Sequence, residues 1–257
     1  MNQAVSSELG DFLRSRRDRL SPEAVGLPIG RRRRTPGLRR EEVAQLAGIG
    51  ADWYIRLEQG RSVSPSAATV DALARALRLN PVEQAHLRAL TRNAERRPFA
   101  REVVPESLTR TIQALNMPAY ITGRRWDVLA WNAAAGEIFA FDRVPEEDRN
   151  TLIQVLTNPK TRQLFGKDWA GEAQRMVAQF RATHDLWARD PAFEALLERL
   201  RSGCPEFGAW WESHDLRETV GGQKRLAHPR KGALRLQYAS FQANDDPSLK
   251  LVIYTPA

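Results

Sequence analysis

A single cysteine in 257 residues excludes an intrachain disulfide and a thiolate metal cluster. The four histidines, His86, His184, His214 and His228, are too scattered to replace one, so no metal or other cofactor is expected. Cys204 keeps two readings, a redox-sensing thiol or an inert buried side chain. No run of about 18 apolar residues occurs, and the N-terminus lacks an apolar signal core. A soluble cytoplasmic chain with no membrane partner is expected. Also missing are a glycine-rich phosphate loop after a strand, a G-x-S-x-G elbow and an H-E-x-x-H pair, so nothing points to an enzyme.

Lysine is absent from residues 1–97, where 18 arginines face 11 acidic residues and carry +7 of the chain's net +8. The remainder, with 21 basic and 20 acidic residues, is nearly neutral. Charge concentrated at one end marks a polyanion partner rather than general solubility, and double-stranded DNA is the natural candidate. Arginine's planar fork also matches phosphate and guanine better than an ammonium does.

Within that basic end, residues 37–61 read GLRREEVAQLAGIGADWYIRLEQGR. Leu38, Val43, Leu46 and Ala47 recur near helical spacing with charged residues between them, which predicts an amphipathic helix. Gly48 stops it, because glycine tolerates the left-handed backbone of a sharp exit. Trp53, Tyr54 and Leu57 give the apolar spacing of a second helix, closed by Gly60. Two helices around a short glycine turn form the unit whose second helix enters a major groove. The run Arg31-Arg32-Arg33-Arg34, followed by Thr35-Pro36-Gly37, reads as a loop beside the motif. It either contacts phosphates or a minor groove, or is a solvated charge run.

The segment AQLAGIGADWYIRLEQGR resembles the Cro/repressor-type (XRE) helix-turn-helix family, and the loop is similar to an arginine-rich insert of some of its members. The resemblance implies that the start of the second helix meets base edges. Matched through the turn and the LEQG ending, those positions are Ala51, Asp52 and Arg56, with Gly50 at the N-cap. Arg56 suits guanine and Asp52 suits cytosine N4, whereas Ala51 offers only a methyl. Arg39, Arg40, Tyr54 and Arg61 complete the DNA-facing candidates, together with the Arg31–Arg34 run. Tyr54 also fits the core spacing.

Further helices are predicted over Glu8–Arg19, from Pro65-Ser66 through Leu77, and from Asn80-Pro81 to near Asn93. Five helices make an all-α, lambda-repressor-like domain over 1–94. Residues 95–106 are aperiodic and carry Arg and Pro, so they read as a linker, and 107–257 form a second domain. That domain opens with a helix at Leu108–Leu115. Two strands within Pro118–Trp131 follow, joined at Gly123-Arg124, and then a helix Ala133–Phe139 capped by Asn132. Helical pieces occupy 145–212. Strands return at Arg217–Ala227, Ala233–Gln242 and Leu249–Thr255, with turns at Gly221-Gly222 and Asp245-Asp246-Pro247. Strands at both ends enclosing helices imply an α+β domain, an antiparallel sheet with a helical cover.

The stretches WDVLAWNAAA, NPKTRQLFGKDW, CPEFGAWWESHDL, KRLAHPRKGALRLQYASF and LVIYTP resemble the PAS-like ligand-binding domain of MmyB-type regulators. The resemblance implies a fatty-acid-like or other small apolar ligand. Six of seven tryptophans lie in this domain, where they are either pocket walls or ordinary core. Tyr120, Trp131, Phe139, Phe180, Trp211, His214, Tyr238 and Phe241 are the candidate lining, with His214 or Arg217 to hold a carboxylate head; His228-Pro229 reads as a structural turn. The expected protein is a dimeric, sequence-specific transcription regulator in which an apolar effector shifts the placement of two DNA-reading heads. The alternative is a second domain that serves interaction or dimerisation without a small ligand.

Overall fold

The computed structural model describes residues 3–28, 35, 37–61, 64–91, 98–188, 190–217 and 221–257. The chain divides into two compact units, Met1–Pro98 with His184–Asp190, and Phe99–Thr183 with Pro191–Ala257.

In the first unit α1 (Gln3–Arg19), α2 (Arg40–Ala47), α3 (Ala51–Glu58), α4 (Ala67–Ala76) and α5 (Pro81–Thr91) follow in order. α1 therefore begins earlier than the Glu8 expected from sequence. Leu9, Phe12 and Leu13 of α1, Val43 of α2, Leu57 of α3, Leu73 of α4 and Leu87 of α5 are all buried, whereas Leu46, expected in the α2 stripe, is 36% exposed. α3 packs on α1 and α2, α2 on α4, and α5 on α1 and α4. Capping fixes the starts. Ser66 accepts from the Thr69 amide at 3.2 Å, and Asn80 and Glu83 exchange side-chain-to-amide bonds at 3.0 Å each.

The second unit is a five-stranded antiparallel sheet of order β2-β1-β5-β4-β3. Its strands are β1 (Ala119–Thr122), β2 (Val128–Trp131), β3 (Gly222–His228), β4 (Gly232–Gln242) and β5 (Lys250–Pro256). One face, through Ala119, Ile121 and Leu249, packs on Ile112 of α6 (Glu106–Gln113). Alternation then sends Tyr120, Lys224, Leu226, Leu236, Tyr238, Val252 and Tyr254 to the opposite face. Between the two groups of strands come α7 (Ala133–Phe139), α8 (Thr151–Thr157), α9 (Pro159–Phe165), α10 (Trp169–Leu186), α11 (Pro191–Gly203) and α12 (Phe207–Glu212).

Two buried asparagines tie this unit together. Asn132 caps α7 by accepting from the Ala135 amide at 3.0 Å and also accepts from Ala119 N at 3.1 Å. Its amide nitrogen lies 3.1, 3.0 and 2.8 Å from the carbonyls of Ile112, Leu115 and Met117. Asn150 does the same for α8, accepting from Leu152 N and donating to Arg125 O and Asp127 Oδ1.

The expected strand Arg217–Ala227 starts later, at Gly222, and Gly221-Gly222 is a strand entry rather than a turn. Gly222 pairs with Tyr238, and a Cβ there would meet that ring at 3.3 Å, so the glycine serves a close approach. The two strands are joined at Gly123-Arg124 as expected, in a turn closed by Trp126 N donating to Gly123 O at 3.0 Å, with Trp126 at φ 69°. The expected structural turn at His228-Pro229 is present. His228 Nδ1 accepts from the amides of Arg230 and Lys231 at 3.2 and 3.0 Å, holding the β3–β4 hairpin tip.

Candidate nucleic-acid interface and ligand pocket

The α2–α3 turn is built by Gly48. It sits at φ 67°, and Ile49 N bonds back to Ala44 O at 2.9 Å, which ends α2 abruptly. Gly50 then occupies the N-cap of α3 without a side-chain cap, leaving the first amides of that helix for an outside acceptor such as phosphate. At the other end Gly60 takes φ 68°, and Arg61 N bonds to Arg56 O at 2.9 Å. Between these stops α3 has two faces. Tyr54, Leu57 and Glu58 are buried, whereas Asp52, Arg56 and Gln59, at i, i+4 and i+7, are exposed along one line. Ala51 is half-buried, and Arg39 and Arg61 are exposed.

The exposed face of α3 is set from below by a buried carboxylate. Glu58, with a side chain 0% exposed, accepts from Arg17 Nε at 2.8 Å and Nη2 at 3.0 Å, and from Arg40 Nε at 2.8 Å. Arg17 also donates to Leu38 O at 2.8 Å. Burial alone would raise the Glu58 pKa, but its bonds to Arg17 and Arg40 hold it below the usual carboxylate value. Arg40, half-buried, is thereby fixed by Nε with its outer nitrogens left over. Tyr54, expected among the DNA-facing residues, is core instead. Its side chain is 0% exposed, and burial together with the Glu58 charge pushes its phenol well up, so it cannot touch DNA. Arg31–Arg34 lie outside the described residues.

In the second unit an apolar cavity of ≈ 40 Å³ lies against the helix-bearing face of the sheet. Tyr120, Phe139, Phe141, Leu164, Phe165, Met176, Lys224 and Tyr254 are among its walls. Tyr120 packs edge-on against Phe139 and Phe141, and its hydroxyl lies 3.2 Å from that of Tyr254. Burial pushes both phenols up, so they stay neutral hydrogen-bonding groups. Lys224 and Phe165 also belong to a neighbouring groove of ≈ 590 Å³ lined by Lys167, Asp168, Glu172, Arg175, Arg225 and Arg235. There Lys224 Nζ meets Glu172 Oε1 at 3.0 Å, Arg175 pairs with the same carboxylate, and Arg175 Nη1 donates to Tyr238 Oη at 2.6 Å. Burial would raise the Glu172 pKa, yet the Lys224 charge and the Arg175 bonds hold it low.

Of the residues expected to line a pocket, Tyr120 and Phe139 do so, whereas Tyr238 is not a wall and sits against Tyr254, Arg175 and Lys224. The other expected lining residues lie elsewhere. Trp131 donates to Asp142 at 2.9 Å and stacks near Arg149 and Phe141. Phe180 is core, between Trp126 and Phe193. Trp211 lies under Arg181 and on Phe207, and His214 bonds through Nδ1 to Arg181. Arg217 is exposed and precedes the strand, and Phe241 faces away from the cavity, 54% exposed. Lys224 and Tyr254 are walls that the sequence reading does not include, although period-2 alternation from Leu226 and Val252 turns both inward. Cys204 is buried, and burial with the Glu206 contact raises its thiol pKa, which favours the inert reading.

A glycine turn, a capless helix start and a charged outer line on α3 define a helix-turn-helix protein. In keeping with this, the family model of a helix-turn-helix domain matches residues 8–87, and that of the MmyB-like transcription regulator ligand binding domain matches residues 104–257. The chain belongs to the MmyB-like transcription regulators, and it is a DNA-binding regulator carrying a ligand-binding domain. No curated protein matches it. Among the described residues no helix is long and apolar enough to cross a membrane, and no group of three or more metal-ligating side chains occurs.

Proposed function

We propose that this protein binds a specific operator as a homodimer and is switched by a small apolar, fatty-acid-like effector held in the cavity around Tyr120, Phe139 and Tyr254. The observation that carries the reading is that cavity. It is walled by aromatic and aliphatic side chains together with Thr151, Gln154, Thr161 and Lys224 and lies inside the matched ligand-binding domain; at ≈ 40 Å³ it is far smaller than the roughly 300–1,000 Å³ of a ligand pocket, so an effector has to open it or extend into the adjoining groove of ≈ 590 Å³. Asp52 and Arg56 are the proposed base readers, and Ala51 contributes a methyl contact at most. Gly50, Arg39, Arg40 and Arg61 would position the helix on phosphates, joined by the Arg31–Arg34 run. The effector acts by binding one arrangement of the paired DNA-reading heads better than the other.

The test is native mass spectrometry of the purified full chain followed by operator binding with and without the released molecule. A co-purified apolar compound that changes operator affinity is expected. A chain that is empty and indifferent to lipid extracts would leave the interaction-module reading, for which exposed Phe241 on the outer sheet face is the observation.

A further inference from the structure

We propose that the groove of ≈ 590 Å³ beside β3 is a binding site in its own right, for an organic ligand that carries a diphosphate group. A ligand held there need not enter the apolar cavity, so this does not rest on the effector reading above, and its failure would leave that reading intact.

The groove has the volume of a small-molecule site, which the cavity lacks. Lys167, Arg175, Lys224, Arg225 and Arg235 line it against two carboxylates, Asp168 and Glu172, so three positive charges are in excess. Residues 98–257 as a whole, with 21 basic and 20 acidic side chains, carry only one, so the excess is local to the groove.

Its floor is largely desolvated. The side chains of Lys224 and Glu172 are each 10% exposed and that of Arg175 is 23% exposed, and both cations share the one carboxylate. One positive charge is left over there, and a charge without a counter-charge is costly in a low-dielectric site. At the rim Arg225 and Arg235 are partners in the β3–β4 register, where like charges set opposite each other repel. Asp168 offsets only one of them, by accepting from Arg225 at 2.9 Å. Lys167 and Arg235 are exposed and meet no carboxylate among the described residues. The floor thus lacks one negative charge and the rim two, a pattern that suits two linked anionic groups better than one.

Charge also selects the ligand class. A carboxylate brings one negative charge and a phosphate monoester about −1.5 to −2, whereas a second phosphoryl group raises the total to about −3. Only the last restores neutrality to the whole groove. Three of its five cations are arginines, whose planar forks pair with phosphate oxygens two at a time.

Isothermal titration calorimetry of the full chain with pyrophosphate and inorganic phosphate, in buffer free of divalent cations, tests this. Pyrophosphate should bind at least about tenfold more tightly than phosphate. Lys167→Gln combined with Arg235→Gln removes two exposed charges, a change that folded surfaces tolerate, and should weaken pyrophosphate at least about tenfold. Asp168→Asn releases Arg225 and should tighten pyrophosphate by about threefold. Equal affinity for the two anions overturns the assignment, as does a pyrophosphate affinity unchanged in the double variant, because the anion then sits on other arginines of the chain. ADP and geranyl diphosphate, titrated in the same way, separate a nucleotide source from a lipid one. Whichever binds more tightly than pyrophosphate names the carrier, and weaker binding of both overturns an organic diphosphate as the ligand.

Discussion

Replacing Glu58 by glutamine removes one charge from the centre of the DNA-binding unit and leaves Arg17, a buried side chain, facing an amide. Breaking a buried ion pair from one side costs about 3–5 kcal/mol, and the lower end applies here because Arg17 keeps its pair with the half-exposed Asp18 at 2.7 Å. Arg40 adds little, at most about 1 kcal/mol, since its side chain is 37% exposed and water takes over. For a domain of this size each kcal/mol lowers Tm by roughly 4–8 °C, so Glu58→Gln should melt at least about 12 °C below the wild type. The double variant Arg17→Met with Glu58→Leu removes both charges and should recover most of the loss, as apolar replacement of a buried pair is often neutral. Circular dichroism melting of both variants, with operator binding by fluorescence anisotropy below the transition, measures this. A single variant melting within about 4 °C of wild type, or a double variant no better than the single, would refute the reasoning. The pH dependence has a definite sign. With the folded pKa of Glu58 below its ordinary 4.5, the stabilisation is complete above that value and is lost as pH falls through the lower folded pKa.

Arg56→Ala should weaken operator binding and relax preference at one base position; unchanged discrimination in a binding-site selection would remove its reading role. Changing Arg31–Arg34 to alanine should flatten the salt dependence of binding, by about 0.9 in the log–log slope for each phosphate no longer neutralised, and an unaltered slope would detach the run from DNA. Asn132→Ala strips the α7 cap and its links to three carbonyls at once. A loss of about 3 kcal/mol in denaturant unfolding of the second unit is expected, and a loss under about 1 kcal/mol would show that water replaces the amide.

The DNA-reading unit is legible in the sequence because its instructions are local. Gly48 at φ 67° and Gly60 at φ 68° are demands of the backbone, and the apolar spacing around them directly names the buried face. Asn132 is equally readable as a cap, although its long-range carbonyl contacts are not, and the cap at Asn150 emerges only in the structure. The pocket is a different matter. Its walls come from β1, α7, α8, α9, α10, β3 and β5, and no sequence period links Tyr120 to Met176 or Lys224. Large aromatic side chains are a poor guide, since Phe180 and Trp211 find partners in the core and in Arg181. Charge is the better signal. A lysine at an inward strand position is expensive to bury without a partner, and Lys224 meets Glu172 there, whereas His214 and Arg217, the head candidates read from sequence, are not among the cavity walls.

β3 ends the sheet, and an end strand offers its unpaired backbone to any other strand that approaches. Here that strand reads Gln-Lys-Arg over 223–225, and Arg225 already lies opposite Arg235 of β4. A second copy adding its own β3 would stack cation on cation along the new ladder. Assembly through continuous sheet extension is thereby resisted by a charged edge strand, a guard against aggregation.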